Sequence, residues 1–353
     1  MARVLLERFK TRGEPCSEQD FSGQDVRAMD LSGMAFDHVN FRGADLSGCV
    51  LTACTFIDCC LDDARMDGVQ LTDSVFTQCD LQRASLQVAR IHDAAWNEVN
   101  LKGADLKDAH IDSTIFQACC FDNCSLHVAS FSKSVFKDSS FVNAEFGKRE
   151  LDRLVFYETD LRRTRFLNQQ FKQMMFIGCN LQGQQFSDRV FVACQFTEAL
   201  LNDCLFVGAT LSQSVFAKAD LSGADLSRVQ GQYTLFAEAT MHGMRAYEAD
   251  LEKTVWTDAA LMQADFRHAR LGYASFERAD CSGADFSQAA LAYARFDYAL
   301  LERTVFSGAS FEYTSMHGVS GTDPWLAVKP GVASVDQALR DAELHALRMR
   351  SEI

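Results

Sequence analysis

The chain has 353 residues, 34 Lys and Arg against 48 Asp and Glu, and a formal net charge of −14. That acidic balance lacks the basic footprint of a nucleic-acid binder. No apolar run approaches the eighteen or so residues of a membrane span, and Arg3, Glu7, Arg8 and Lys10 break up any apolar signal core at the start.

Residues 1–18 are expected to form an N-terminal cap. Val4, Leu5, Leu6 and Phe9 sit among charges, which predicts a short amphipathic helix, and Gly13 and Pro15 stop it. From Phe21 to Met316 every fifth residue is a large apolar one. Of these sixty centres only Gly231, Ala246 and Cys281 are not Leu, Phe, Ile, Val, Met or Trp. A step of five is neither helical nor strand-like. Two residues before each centre sits a small residue, such as Ala44, Cys49, Cys54, Cys59 or Ala64. Asp or Asn often precedes the centre, and Gly often stands two residues after it, as in residues 44–48, Ala-Asp-Leu-Ser-Gly.

A stride of twenty lies over the stride of five. Every fourth centre from Phe36 to Met316 is aromatic in fourteen of fifteen cases. Residues twenty apart must then be neighbours, so four pentapeptides complete one turn of a square coil. Centres and small residues both point inward. These residues resemble the pentapeptide-repeat family over about residues 19–320. The resemblance implies an all-β solenoid, a right-handed four-sided β-helix; sixty centres at four per turn make about 15 coils, and short N- and C-terminal helices are expected as caps. Three prolines in the chain suit a ladder that needs its amides.

Nine of the thirteen cysteines fall on the small inward position, where Cys acts as a slightly larger Ala. Cys59 and Cys79 are expected to stack as a reduced pair, which points to a reducing cytosol. No pair has the C-x-x-C spacing of a zinc site, so neither a metal nor a cofactor is expected.

One outer column stands just before the aromatic centres: Val75, Ala95, Ile115, Val135, Val155, Met175, Gln195, Val215, Leu235 and Val255. It reads either as β-propensity on a flat wall or as an apolar contact stripe for a partner or a second copy. Over residues 148–192 the small position is taken by Arg149, Leu154, Gln169, Met174, Gln184 and Arg189. Arg149, Gln169 and Arg189 share a wall, so this irregular middle must widen or pair them inside. Seven basic residues against four acidic ones over 148–172 also make it locally positive. Farther on, Gly231 and Ala246 predict two holes and a weak spot. Tyr233, Lys253, Tyr273, Tyr293 and Tyr313 then form a second outer column, two residues after the centre. Exposed stacked tyrosine is contact chemistry, or the rings simply shield the ladder.

Residues 321–353 end the repeats with a turn, with Trp325 placed to plug the last coil. An amphipathic helix is predicted over 335–349, after a capping signal at Ser334 and Gln337. By resemblance, a homodimer through this C-terminal helix is one expected assembly. The eight histidines have no ligand spacing, and no nucleophile elbow or phosphate loop is present, so no enzyme is expected. The leading reading is a bacterial cytoplasmic scaffold for a protein partner, by family analogy an accessory or delivered protein of a secretion machine. A second, also drawn from the resemblance, is a DNA mimic that binds a type II topoisomerase such as gyrase. A third is a structural protein with no dedicated partner.

Overall fold

The computed structural model describes residues 1–147, 150–167, 170–321, 329–333 and 341–342, in two compact units, Met1–Asn180 and Leu181–Ile353. In both, the chain winds as a parallel β-solenoid. Successive levels bridge at a separation of twenty on four sides, for example Asp20 with Asn40, Asp25 with Asp45, Asp30 with Val50 and Ala35 with Thr55. Centre and small residue are buried together, as with Ala44 and Leu46 or Cys49 and Leu51.

The favoured pentapeptide now has a local reason. In residues 44–48 the Asp45 carboxylate accepts the Ser47 N–H at 3.0 Å. Gly48 adopts φ 69°, and the Cys49 N–H closes the turn on the Leu46 carbonyl at 3.0 Å. That is a β-turn whose third residue needs positive φ, entered through an Asx bond. Aspartate is therefore abundant for the corner, not for catalysis.

The first unit opens with a helix, Ala2–Arg12, as expected. Leu6 is fully buried, but Val4 is 70% exposed and takes no part in the buried face. The helix covers the first coil with its cations. Arg3 Nη1 donates to the Arg27 carbonyl and Lys10 Nζ to the Asp30 carbonyl, each at 2.7 Å. One level up, the carbonyls of Ser47 and Val50 take N–H groups from the coil beneath. No coil lies beneath Arg27 and Asp30, so the two side chains stand in for it.

On one side of this unit nine parallel strands lie in register, from Cys16–Ser17 through Ala35–Asp37 to Met175–Ile177. Their central rings form the expected column. Phe116 and Phe136 stack at 5.0 Å and 5°, and Phe136 and Phe156 at 4.9 Å. In the second unit the same side is a run of bridges from Gln195 to Ser315, seven levels. This unit has a column of its own, Phe196, Phe216, Phe236, Trp256, Phe276 and Phe296.

The corner after the column differs between units. In the second unit Ala199, Ala219 and Ala299 close the turn with backbone bonds to Phe196, Phe216 and Phe296. In the first unit five levels hold Cys59, Cys79, Cys119, Ser139 and Cys179 at the corresponding position, and their side chains donate to the ring residue's carbonyl one level down; Val39, Val99 and Thr159 occupy the others. At other corners Cys49, Cys54, Cys124 and Cys204 cap the centre carbonyl below at 2.8–3.1 Å. The inward cysteines are thus hydrogen-bond donors, not enlarged alanines. Burial pushes the thiols of Cys119, Cys124, Cys179 and Cys204 up to about 12, so they are not thiolates at neutral pH. Cys59 and Cys79 lie together as thiols with no disulfide between them, the reduced pair expected.

Two tryptophans show what the inward neighbour decides. Trp256 lies flat on Phe236 and Phe276 and donates Nε1–H to Thr254 Oγ1 at 2.8 Å. Trp96 is turned edge-on to Phe116, and its buried Nε1 has no partner. The residue two before it is Ala94. Ala94→Thr supplies the missing acceptor on a wall that already holds Thr114, Thr234 and Thr254. It is expected to stabilise the fold by about 1 kcal/mol. Urea denaturation compares it with wild type, and the gain must disappear in a Trp96→Phe background.

The hole expected at Gly231 is filled. A Cβ there would lie 2.9 Å from Leu251 Cδ2 and 3.1 Å from Val229 Cγ1, because neighbours lean into the space. Ala246 is buried in a regular coil, its N–H on the Asp265 carbonyl at 2.7 Å. The ladder is kept at Gly231 too, its N–H on the Asp250 carbonyl at 2.8 Å.

The irregular middle begins earlier than residue 148. At residues 127–129 Val128 turns inward and Ala129 is only half-buried. The Ala109 carbonyl accepts both the Ala129 and the Ser130 N–H, at 2.8 and 3.4 Å. The corner there is extended, so the inward position moves one residue forward. A count by fives cannot register that shift.

After the last coil, residues 329–333 return to pair with Thr314. Thr314 N–H donates to the Gly331 carbonyl at 3.1 Å, and Ala333 N–H to the Thr314 carbonyl at 2.8 Å. Gly331 has φ 90°, and a Cβ would fall 1.9 Å from the Phe311 carbonyl oxygen, so only glycine fits. Trp325 and the predicted helix over 335–349, apart from Asp341 and Ala342, lie outside the described residues.

Candidate protein-interaction site

In the second unit the corner residue after each centre adopts positive φ and points its side chain outward. Tyr233, Tyr273, Tyr293 and Tyr313 hold this conformation with φ of 62°, 58°, 59° and 50°. A bulky side chain there costs on the order of 1 kcal/mol. Stacking returns part of it. Tyr273 and Tyr293 are 4.8 Å apart and 4° from parallel, and Tyr293 and Tyr313 are 5.4 Å apart. Lys253 continues the column below them. Its Nζ donates to the Tyr233 hydroxyl at 2.8 Å and stands 5.0 Å over that ring. The hydrogen bond to Tyr233 raises the lysine pKa, so Lys253 stays charged. Desolvation in the stack, then the Glu312 carboxylate, raise the Tyr293 phenol, so it stays neutral. Tyr298 stands on a different corner, edge-on to His317.

The apolar stripe borders this ladder. Val215, Leu235 and Val255 are half-exposed and bridge in sequence, and Leu235 and Val255 are two residues past Tyr233 and Lys253. The two columns share a wall at the levels of Tyr233 and Lys253, while Ser275, Arg295 and Ser315 follow the stacked Tyr273, Tyr293 and Tyr313. In the first unit Val135 and Val155 are half-exposed and pair in register with Ile115 and Met175. Arg149 and Gln169 lie outside the described residues. Arg189 is half-buried at a regular corner, beside Asp188 at φ 57°. Leu154, Met174 and Gln184 are buried, so the coil does accept larger residues at the inner position. Three of the arginines in the middle sit on neighbouring carboxylates. Arg153 pairs with Asp152 at 2.8 Å, Arg162 with Asp160 at 2.7 Å and Arg165 with Glu145 at 2.6 Å.

Acids elsewhere are tied in the same way. Hydrogen bonds from Arg27, Lys10, Arg83 and Arg278 hold Asp25, Asp30, Asp63 and Asp258 below the usual carboxylate range, Asp25 at about 2. A folded-state pKa below the unfolded value of about 3.9 contributes stability that is present above that value and lost as pH falls through the folded pKa. The melting temperature is therefore expected to be level from about pH 7 to 5 and to drop below about pH 4. A calorimetric scan series tests this, and an unchanged melting temperature at about pH 2 contradicts it.

Among the described residues no helix is long and apolar enough to cross a membrane. No curated protein sequence matches the chain. Solved structures similar to it include HetL, a pentapeptide repeat protein involved in heterocyst differentiation regulation in the cyanobacterium Nostoc. It is 17% identical, covers 91% of this chain and 98% of its own, and has a TM-score of 0.19. QnrB1, a plasmid-mediated fluoroquinolone resistance protein, is 15% identical over 72% of this chain and 91% of its own, at 0.23. A thylakoid-lumen pentapeptide repeat protein of Arabidopsis thaliana is 21% identical over 46% of this chain and 82% of its own, at 0.17. The sequence model described as a pentapeptide repeat region matches residues 49–119. The one described as pentapeptide repeats (8 copies) matches residues 17–52, 194–229, 247–283 and 284–320. Together these spans take in more than half of the chain, and with the twenty-residue ladder on four sides they make it a member of the pentapeptide repeat family.

Proposed function

We propose that the chain is a non-catalytic scaffold that docks a protein partner on the face formed by Tyr233, Tyr273, Tyr293 and Tyr313 with Val215, Leu235 and Val255. The stacked tyrosine ladder carries this reading. Its rings are exposed and already ordered by one another, so a partner immobilises few free side chains on binding. Tyrosine also offers an apolar body and a hydroxyl at the same place. An accessory role in a bacterial secretion machine is a family-level extension of the same reading.

The test is cross-linked capture with wild type beside a Tyr273/Tyr293/Tyr313→Ala variant. Loss of a defined partner in the variant supports the docking face, and survival of every partner refutes it. Topoisomerase mimicry draws less support, because many carboxylates are held by neighbouring arginines. Inhibition of purified gyrase in a supercoiling assay would favour mimicry over the scaffold.

A further inference from the structure

We propose that the strand face of the first unit is a self-association surface, on which a second copy of this chain packs antiparallel. The apolar residues Val75, Ala95, Ile115, Val135 and Val155 stand in register across five strands, with Val75, Ala95 and Ile115 exposed, Ile115 at 53%. Beside them, two residues earlier on each level, runs a corner column of Asp73, Asp93, Ser113, Lys133 and Arg153. Its charge changes sign about Ser113. The residues are outward-facing, although Asp93 also meets His92, Lys133 meets Asp112 and Arg153 meets Asp152.

A two-fold axis at the Ile115 level, lying in the face and along the strands, reverses the order of levels. It sets Asp73 opposite the second copy's Arg153 and Asp93 opposite its Lys133, with Ser113 on Ser113. The same operation places Val75 on Val155, Ala95 on Val135 and Ile115 on itself. Such a contact is isologous and closes at two copies. On the other border Asn97 meets Lys137 and Thr77 meets Tyr157. Glu98 there comes level with Asp138, an acid pair that Lys137 adjoins. The parallel arrangement is disfavoured. It would bring Asp93 toward Asn97 and Glu98, and Lys133 toward Lys137, so like charges meet on both signs. The charge pattern thus selects the orientation as well as the occupant.

The experiment needs no other partner: light scattering and analytical ultracentrifugation of the full chain at about 100 µM, suited to a weak interface. Wild type is expected to dimerise. Asp73→Lys/Asp93→Lys makes the column wholly basic, and Lys133→Asp/Arg153→Asp makes it wholly acidic. Each variant alone is expected to dimerise about tenfold more weakly or worse, and an equimolar mixture to form the heterodimer. Circular dichroism checks that both remain folded, and the surface changes leave the buried column intact. A monomeric wild type overturns the proposal. So does a dimer that both variants retain, which would place the contact elsewhere, or a mixture that stays monomeric. The tyrosine variant of the second unit is expected to dimerise like wild type, so this result is separable from the docking reading.

Discussion

Phe136→Ala is expected to destabilise the first unit by about 3–5 kcal/mol, the cost of truncating a fully buried ring and leaving a cavity. Phe136 stacks on Phe116 and Phe156 and meets Phe121, Phe131 and Phe141 edge-on at 5.1–5.5 Å. No single neighbour can close the space, because each is itself held by the level above or below. Solenoid stability is a sum of neighbouring interfaces, and this substitution weakens two of them at once. Urea unfolding followed by circular dichroism reads the loss, and native hydrogen exchange locates it at the levels of Phe116 and Phe156. Phe136→Leu, which keeps most of the volume, is expected to cost about 1–1.5 kcal/mol. An Ala variant within about 1 kcal/mol of wild type would mean that the column does not hold the unit together.

Deleting residues 1–15 is expected to have an effect of similar size and a different kind. It removes the burial of Leu6 and the donors that Arg3 and Lys10 give to the Arg27 and Asp30 carbonyls. The lost burial and charge-assisted bonds amount to about 3 kcal/mol or more. The first coil is then an unpaired parallel edge, which recruits other chains. Open-ended assemblies that grow with concentration are expected in light scattering, together with faster amide exchange in residues 20–40. These assemblies differ from the two-fold dimer proposed for the strand face, because Asp73→Lys/Asp93→Lys should leave them unchanged. A truncated chain that stays monodisperse and equally protected would show that the helix is not a cap. Lys10→Met, which keeps the aliphatic stem but loses the donor, is expected to fray the edge without assembling it.

The twenty-residue neighbourhood was legible because the side-chain pattern is a direct record of packing. A ring at Phe116 and another at Phe136 occupy one column only if the chain returns each time to the same side. The tyrosine column was legible for the same reason. The extended corner at Val128 was not, since one residue turning inward early leaves the count of five intact. The thiol caps were also missed. A small inward Cys looks like a volume choice until the Val26 or Leu101 carbonyl is seen 3.0 or 2.8 Å from its sulfur. The gathering of nine of the thirteen cysteines at that position was the available signal.

Periodicity by itself determined the fold, the inward and outward sets and the vertical columns, because a repeat without insertions permits only one stacking that buries all its apolar centres. The tertiary structure alone decided how the column members meet, with Tyr273, Tyr293 and Tyr313 stacked ring on ring. It also decided that Lys253 donates to the Tyr233 hydroxyl, that Gly231 is not a hole, and that the Arg27 and Asp30 carbonyls need the helix. Those outcomes depend on corner conformation, on how far neighbouring side chains lean, and on which backbone groups lack a coil beneath them. Such quantities belong to the three-dimensional path of the chain and leave no periodic mark in its sequence.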